Sequence, residues 1–383
     1  MYRHYLNSDT PIELFKMSCG SPYVDKTLMI RDLSKRINTN NRYICVTRPR
    51  RFGKTMIVNM LASYFAKNYD TKELFEVLNI SKVLECEKHR NQHQVMYIPF
   101  NRSNHYEIRS CQQYIDYITE CIQSDLYEEY PAIRGKEYHS LRDMFLDTKD
   151  SFIFVGDGWD SILFESYMQE EDKKAYLTFL RDLFIDQRYV ELVYISGVFP
   201  ISKYTRDSVL EMFEECKFCD DSHYDIYYGF SEEEVKKLCD EYQTVNFDDL
   251  KKWYEGYHLH DGRRMYNPWS ITCALHRKTC YPYWLQSGPG DEVLRIAEEN
   301  IELVEKDIEQ FEAGMPVMGN YGAYCITSDE NKTREDVLST MVAYGFLSYD
   351  KGKYYVPNYE LMLRFQGTLK ILKNNKKRTI VPY

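Results

Sequence analysis

Four short apolar runs, Tyr43–Thr47, Val95–Phe100, Phe152–Val155 and Val190–Ile195, punctuate the first two hundred residues, with helical periodicity between them. Strands too apolar to have a wet face, separated by helices, are the pattern of a parallel sheet covered on both sides. The run Met56–Phe65 places Ile57, Met60, Leu61, Tyr64 and Phe65 at helical spacing. From about Asp225 the texture turns helical and polar, opening with Gly229–Val235, where Ser231 followed by Glu234 forms a capping box. Residues 226–300 read as a helical lid holding Trp253-Tyr254-Glu255-Gly256-Tyr257 and Tyr266-Asn267-Pro268-Trp269-Ser270. Beyond Asn300, a helix around Arg334–Tyr344 leads into strand, Lys-Gly turn and strand over Gly345–Val356, which predicts a small winged-helix-like module. The expected organisation is an α/β sheet domain over 1–225, a lid over 226–300 and a C-terminal region over 301–383. The tail Lys373–Arg378 is basic and expected to be mobile.

One connection carries chemistry. Between the strand Tyr43–Thr47 and the helix from Met56 lies Arg48-Pro49-Arg50-Arg51-Phe52-Gly53-Lys54-Thr55. Such a turn opens a helix N-terminus, where unpaired backbone N–H groups and the positive dipole end face an anion, and Gly53 lets the main chain approach it. In a phosphate loop Lys54 reaches the β- and γ-phosphates and the Thr55 hydroxyl takes one Mg²⁺ position. Ligands on parallel sheets sit at the carboxyl ends of the strands, where this turn lies. The strict G-x-x-x-x-G-K-[ST] pattern wants glycine where this chain has Arg48, and a basic surface turn is the alternative.

Composition narrows the rest. The 383 residues suffice for two or three domains, and 44% hydrophobic with 28% charged residues describes a folded chain. A net charge of −10 argues against broad electrostatic adhesion to nucleic acid or anionic membrane. No apolar run approaches the roughly 18 residues that span a bilayer, and the first residues lack a signal-peptide core, so a cytoplasmic location is expected. Eleven cysteines scattered through apparent strands and helices read as reduced thiols. Cys216-x-x-Cys219-x-x-x-His223, with Cys239 further on, has some zinc character, but no second Cys-x-x-Cys pair completes it.

The blocks Tyr23–Thr27, Arg48–Thr55, Ile195–Val198, Trp253–Tyr257 and Tyr266–Ser270, in this order, resemble the bacterial AAA-ATPase-like P-loop proteins, often fused to a PD-(D/E)XK nuclease-like domain. That family itself reads R-P-R-R-F-G-K-[ST] at its phosphate loop, so Arg48 conforms to it. The resemblance implies ATP with Mg²⁺, held by Arg48, Pro49, Arg50, Arg51, Phe52, Gly53, Lys54, Thr55 and Met56, with Thr55 and Asp157 on the metal and Ser196 sensing the γ-phosphate. Little chain remains after Glu360 for the nuclease-like portion, so the match is to the ATPase half. Arg50 and Arg51 also suit phosphate oxygens or a neighbouring subunit. Trp253, Tyr257, Tyr266 and Trp269 read as lid core before base-stacking surfaces.

The resemblance also exposes a break. The family's Walker B strand ends D-E-Y-D, in which the first acid serves Mg²⁺ and the glutamate polarises the attacking water; here the stretch is Asp157-Gly158-Trp159-Asp160. Asp157 keeps the metal position, Gly158 replaces the general base, and Asp160 falls on the later aspartate. A general base contributes about 10²–10⁴-fold, on the order of 3 to 5 kcal/mol of barrier, while binding relies on other groups. The expected function is an ATP·Mg²⁺-binding, nucleotide-gated switch with weak or no hydrolysis. The alternatives are an active ATPase with its acid relocated to Asp160, and a nucleotide-independent interaction protein. A protein partner or homo-oligomer is compatible with each; a nucleic-acid role has association alone behind it.

Overall fold

The computed structural model describes residues 4–102, 108–204, 208–219, 223–259, 261–287, 290–321, 333–367 and 371. The chain forms two compact units, one of Met1–Val46 with Lys54–Glu215, the other of Thr47–Gly53 with Cys216–Tyr383.

The first unit is built on strands β1 (Tyr43–Thr47), β2 (Gln94–Pro99), β3 (Phe152–Asp157), β4 (Val190–Gly197) and β5 (Glu214–Cys216), in the spatial order β2-β3-β4-β1-β5. The four predicted strands are present: β1 has the expected bounds, β2 is shifted by one residue, and β3 and β4 each run two residues further. β2, β3 and β4 run parallel, and pairing parallel neighbours requires a crossover. The helices Cys111–Glu129 and Leu141–Thr148 supply it between β2 and β3, and Glu170–Phe184 between β3 and β4. Their apolar faces join Phe152 and Phe154 of β3 in one core, in which Phe145 stacks on Tyr189 with ring centroids 4.6 Å apart.

Register decides what reaches the sheet's carboxyl edge. Pro99 of β2 stands beside Asp157 of β3, and Asp157 beside Ser196 of β4. The β3–β4 ladder slips by one residue between Phe152 and Ile153, and that slip sets Ser196, rather than Ile195, level with Asp157. Strand β5 escapes the sequence pattern because it is three residues long and two of them are glutamates; short, charged strands are typical of sheet edges.

The second unit is mainly helical, with helices Glu232–Tyr242, Phe247–Tyr254, Pro268–Arg277, Gly290–Glu299 and Ile301–Glu312. The Ser231/Glu234 capping box closes at 2.8 and 3.2 Å. The all-helical expectation for 226–300 needs correcting. β6 (Glu255–His258) and β7 (Arg264–Tyr266) form an antiparallel hairpin there. The cause is local: a Cβ on Gly256, whose φ is +137°, would lie 1.8 Å from the Pro357 carbonyl oxygen, so the helix ends at Tyr254 in a backbone approach that only glycine permits. Further on, helix Arg334–Tyr344, β9 (Ser348–Asp350), a Lys351-Gly352 turn with both φ positive and β10 (Lys353–Tyr355) follow in the expected order. β8 (Val317–Met318), unforeseen, adds a third strand in the order β8-β10-β9. The basic tail Lys373–Arg378 lies outside the described residues. Among those residues no helix is long and apolar enough to cross a membrane.

Candidate nucleotide site

Asp157, the last residue of β3, is 1% exposed and surrounded by neutral donors. The Thr55 hydroxyl donates to its Oδ2 at 2.7 Å and the Ser196 hydroxyl to its Oδ1 at 3.0 Å. The Asn101 carboxamide also donates to Oδ2, at 3.1 Å. Burying a carboxylate is costly unless its oxygens are bonded, and these three groups supply those bonds. A hydroxyl donating to a carboxylate keeps lone pairs for a cation, so Thr55 beside Asp157 fits a hard divalent ion that takes one hydroxyl directly and the carboxylate through water. Thr55 is placed by the helix Lys54–Phe65, whose first turn it shares with half-buried Lys54 and Met56.

The turn before that helix divides in two. Thr47–Phe52 is consumed by packing within the second unit. Arg48 is 1% exposed; its guanidinium pairs with Asp225 at 2.5 Å, donates to the Cys216 carbonyl at 2.7 Å and lies 4.9 Å over the Tyr228 ring. Pro49 packs against Gly345, and the Trp284 indole N–H donates to the Arg50 carbonyl at 3.1 Å. Arg51 lies 4.6 Å over Trp269, and Phe52 packs edge-on against Phe218 and Tyr257. The expectation that the Arg48 side chain serves phosphate therefore needs correcting, because its hydrogen-bonding fork is engaged inside the protein. Gly53 differs: its φ is +90° and the space where a Cβ would sit is open for 4 Å. That geometry suits a main chain that must approach a bulky anion.

After Asp157 the chain turns sharply. Gly158 has φ +70°, and a Cβ there would come within 2.9 Å of the Asn101 Cβ. Gly158, expected to stand where a glutamate would, is thus a left-handed residue against a neighbouring side chain. Asp160, the alternative acid, is 2% exposed and accepts from the Val198 and Phe199 amides at 2.9 and 2.7 Å. Burial raises its pKa, against the pull of those amides and of Lys54. This carboxylate holds the turn after β4, a structural task that conflicts with a role as relocated base.

Other expectations sort by burial. Tyr257 and Tyr266 are buried and Trp253 half-buried, but Trp269 is 38% exposed and carries Arg51, so it is not lid core. Ten of the eleven cysteines are described, and no disulfide joins any two of them. Among the described residues no three His, Cys, Asp or Glu side chains converge on a metal position. Burial pushes the Cys219 thiol up to about 12. Asn101 was not legible from the sequence: it lies in the short 3-10 turn Phe100–Arg102 that follows β2, and only the register that puts Pro99 beside Asp157 brings it to the site.

A sheet with helices on its faces, a Gly-Lys-Thr turn at the exit of β1 and an acid at the exit of β3 define a P-loop NTPase fold, one that binds nucleotides. Through residues 16–206 the chain belongs to the AAA-ATPase-like family, described as predicted AAA-ATPase. It is 25% identical over 276 residues to a protein of Azotobacter chroococcum mcd 1 described as an uncharacterized protein in the vnfD 5′ region, covering 70% of this chain and 50% of that one. The chain thus spans about half the length of that curated relative. Two solved structures align at low similarity. The Walker-type ATPase paby2304 of Pyrococcus abyssi has a TM-score of 0.43 and 11% identity, covering 89% of this chain and 94% of that one. The Aeropyrum pernix ORC2 protein, in ADPNP–ADP complexes, has a TM-score of 0.39 and 11% identity, covering 97% and 95%.

Proposed function

We propose that this chain binds ATP with Mg²⁺ and works as a nucleotide-dependent switch whose hydrolysis is weak or absent. The observation that carries the reading is the contrast around Asp157. The metal-side carboxylate is kept with its Thr55 and Ser196 partners, while the next position is glycine in a left-handed conformation. Backbone amides of Arg50–Thr55 with Lys54 hold the phosphates, and Thr55 and Asp157 hold the cation. The bound cation supplies charge neutralisation at the phosphate oxygens. Ser196, on the strand next to Asp157, reports the terminal phosphate. The assignment of 1–225 to nucleotide binding, 226–300 to the lid and 301–383 to a winged-helix-like region belongs to this reading. So do a cytoplasmic setting and a protein partner, or a second copy of the chain, as receiver of the signal.

The test is thermal unfolding with Mg·ATP beside phosphate release, using a Lys54→Ala control. A ligand at about 100 times its dissociation constant adds about 2.7 kcal/mol to stability. The expected outcome is a clear upward shift in wild type, none in Lys54→Ala, and release close to the control. Absence of a wild-type shift favours the nucleotide-independent interaction protein. Release far above the control makes the chain an active ATPase, and the burial of Asp160 with its two amide bonds to Oδ2 then argues against that residue as its base.

A further inference from the structure

The place vacated by the family's glutamate is filled from the turn that follows β2. Asn101 lies two residues beyond β2 and is exposed, with its carboxamide nitrogen on Asp157 Oδ2 at 3.1 Å. An ionised carboxylate only accepts, so the NH₂ must face Asp157, and the carbonyl Oδ1 is held on the other side of the planar group. A Cβ on Gly158 would lie 2.9 Å from the Asn101 Cβ, 3.1 Å from its Nδ2 and 3.2 Å from its Cγ. The Asn101 side chain therefore stands where a side chain at 158 would have to begin.

We propose that Asn101 takes over the water-positioning task of the missing glutamate, its Oδ1 accepting a hydrogen bond from the water that faces the terminal phosphate. The proposal rests on the ATP-binding reading above. A neutral carboxamide orients the attacking water in some NTPases without acting as a base. In the step itself the water oxygen forms a bond to the γ-phosphorus. The bond from that phosphorus to the bridging oxygen breaks, and its electron pair leaves on ADP. The water proton ends on the released phosphate, and Asn101 neither takes nor gives one. Orientation without proton transfer gives slow turnover, a rate suited to a timed switch.

Single-turnover phosphate release from the full chain with Mg·ATP tests this, read beside the thermal shift with Mg²⁺ and a non-hydrolysable ATP analogue. The expected result is wild-type release slow but above Lys54→Ala, with Asn101→Ala reduced by about tenfold or more and its analogue-induced shift unchanged. Asn101→Asp should release phosphate with a rate that climbs as its new carboxylate deprotonates, a pH profile absent from wild type. A packing measurement runs in parallel: Gly158→Ala should lower the melting temperature less in an Asn101→Ala background than alone. Wild-type-like release from Asn101→Ala with analogue binding intact, or wild-type release no higher than Lys54→Ala, overturns the proposal alone. No analogue shift in wild type overturns the nucleotide reading, and this proposal with it.

Discussion

The two halves of the Arg48–Thr55 turn use their polar groups in opposite ways. In the front half, the Arg48 guanidinium, the Arg50 carbonyl and the Arg51 cation are spent on Asp225, Trp284 and Trp269. In the rear half, Gly53 faces open space and Thr55 makes one exchangeable bond to an acid at a strand end. A motif read as a single phosphate-binding unit is thus a packing segment joined to the segment proposed to hold the ligand. Damage to the front should appear as lost stability, and damage to the rear as lost ligand response.

The largest effect expected is from Arg48→Ala. Removing one partner of a buried ion pair takes the Arg48 cation away from buried Asp225, at a cost of about 3–5 kcal/mol, measurable by denaturant unfolding. If unfolding is unchanged while nucleotide affinity drops, the division into two halves fails. Next comes a pH effect on the front half. Glu360 is buried, accepting from the Trp284 amide at 2.7 Å and the Ser270 hydroxyl at 2.8 Å. Burial raises its pKa to about 7 against those two bonds. A carboxyl with a folded pKa above its unfolded one stabilises most fully below the unfolded value, near 4.5. That contribution is lost as pH rises through about 7, and its span is on the order of 3 kcal/mol. Glu360→Gln should flatten the melting-temperature profile between about pH 4.5 and 7, the window that the two pKa values bracket; an unchanged slope removes Glu360 from the account.

On the rear half, Asp157→Asn keeps the shape and removes the charge. It should weaken Mg²⁺-dependent nucleotide binding by about 10- to 100-fold, in the range seen when metal-site groups are altered, with little change in stability without ligand. Equal loss in the presence of EDTA would show that Asp157 does not serve the cation. The smallest effect is at Trp269. Trp269→Leu removes an exposed cation–π contact with Arg51, costing about 0.5–1 kcal/mol in unfolding and leaving nucleotide affinity intact.

Much of this was legible in the sequence, for physical reasons. Strands buried on both faces announce themselves as apolar runs, and β1, β3 and β4 were readable to within two residues at either end. The Gly-Lys-Thr turn and Asp157 were equally visible, because phosphate and metal chemistry admit few residue types. What stayed hidden depends on register and on partners far along the chain. Nothing near Arg48 signals Asp225, and nothing near Gly158 signals Asn101. The β6–β7 hairpin was missed because its strands are short and start where a helix ends, with Gly256 as the one local sign. Asp160 read as a candidate acid until the Val198 and Phe199 amides claimed it.

The pairing of Arg48 with Asp225 also sets a timetable. Those residues are 177 positions apart, and Arg50 and Trp284 are 234 apart. At a synthesis rate of about 5–20 residues per second, the ribosome delivers the anchor for Arg48 roughly 10 to 35 seconds after Arg48 itself. During that interval the sheet can assemble, and a nascent chain locks the front of the turn only once Asp225 and Trp284 have emerged.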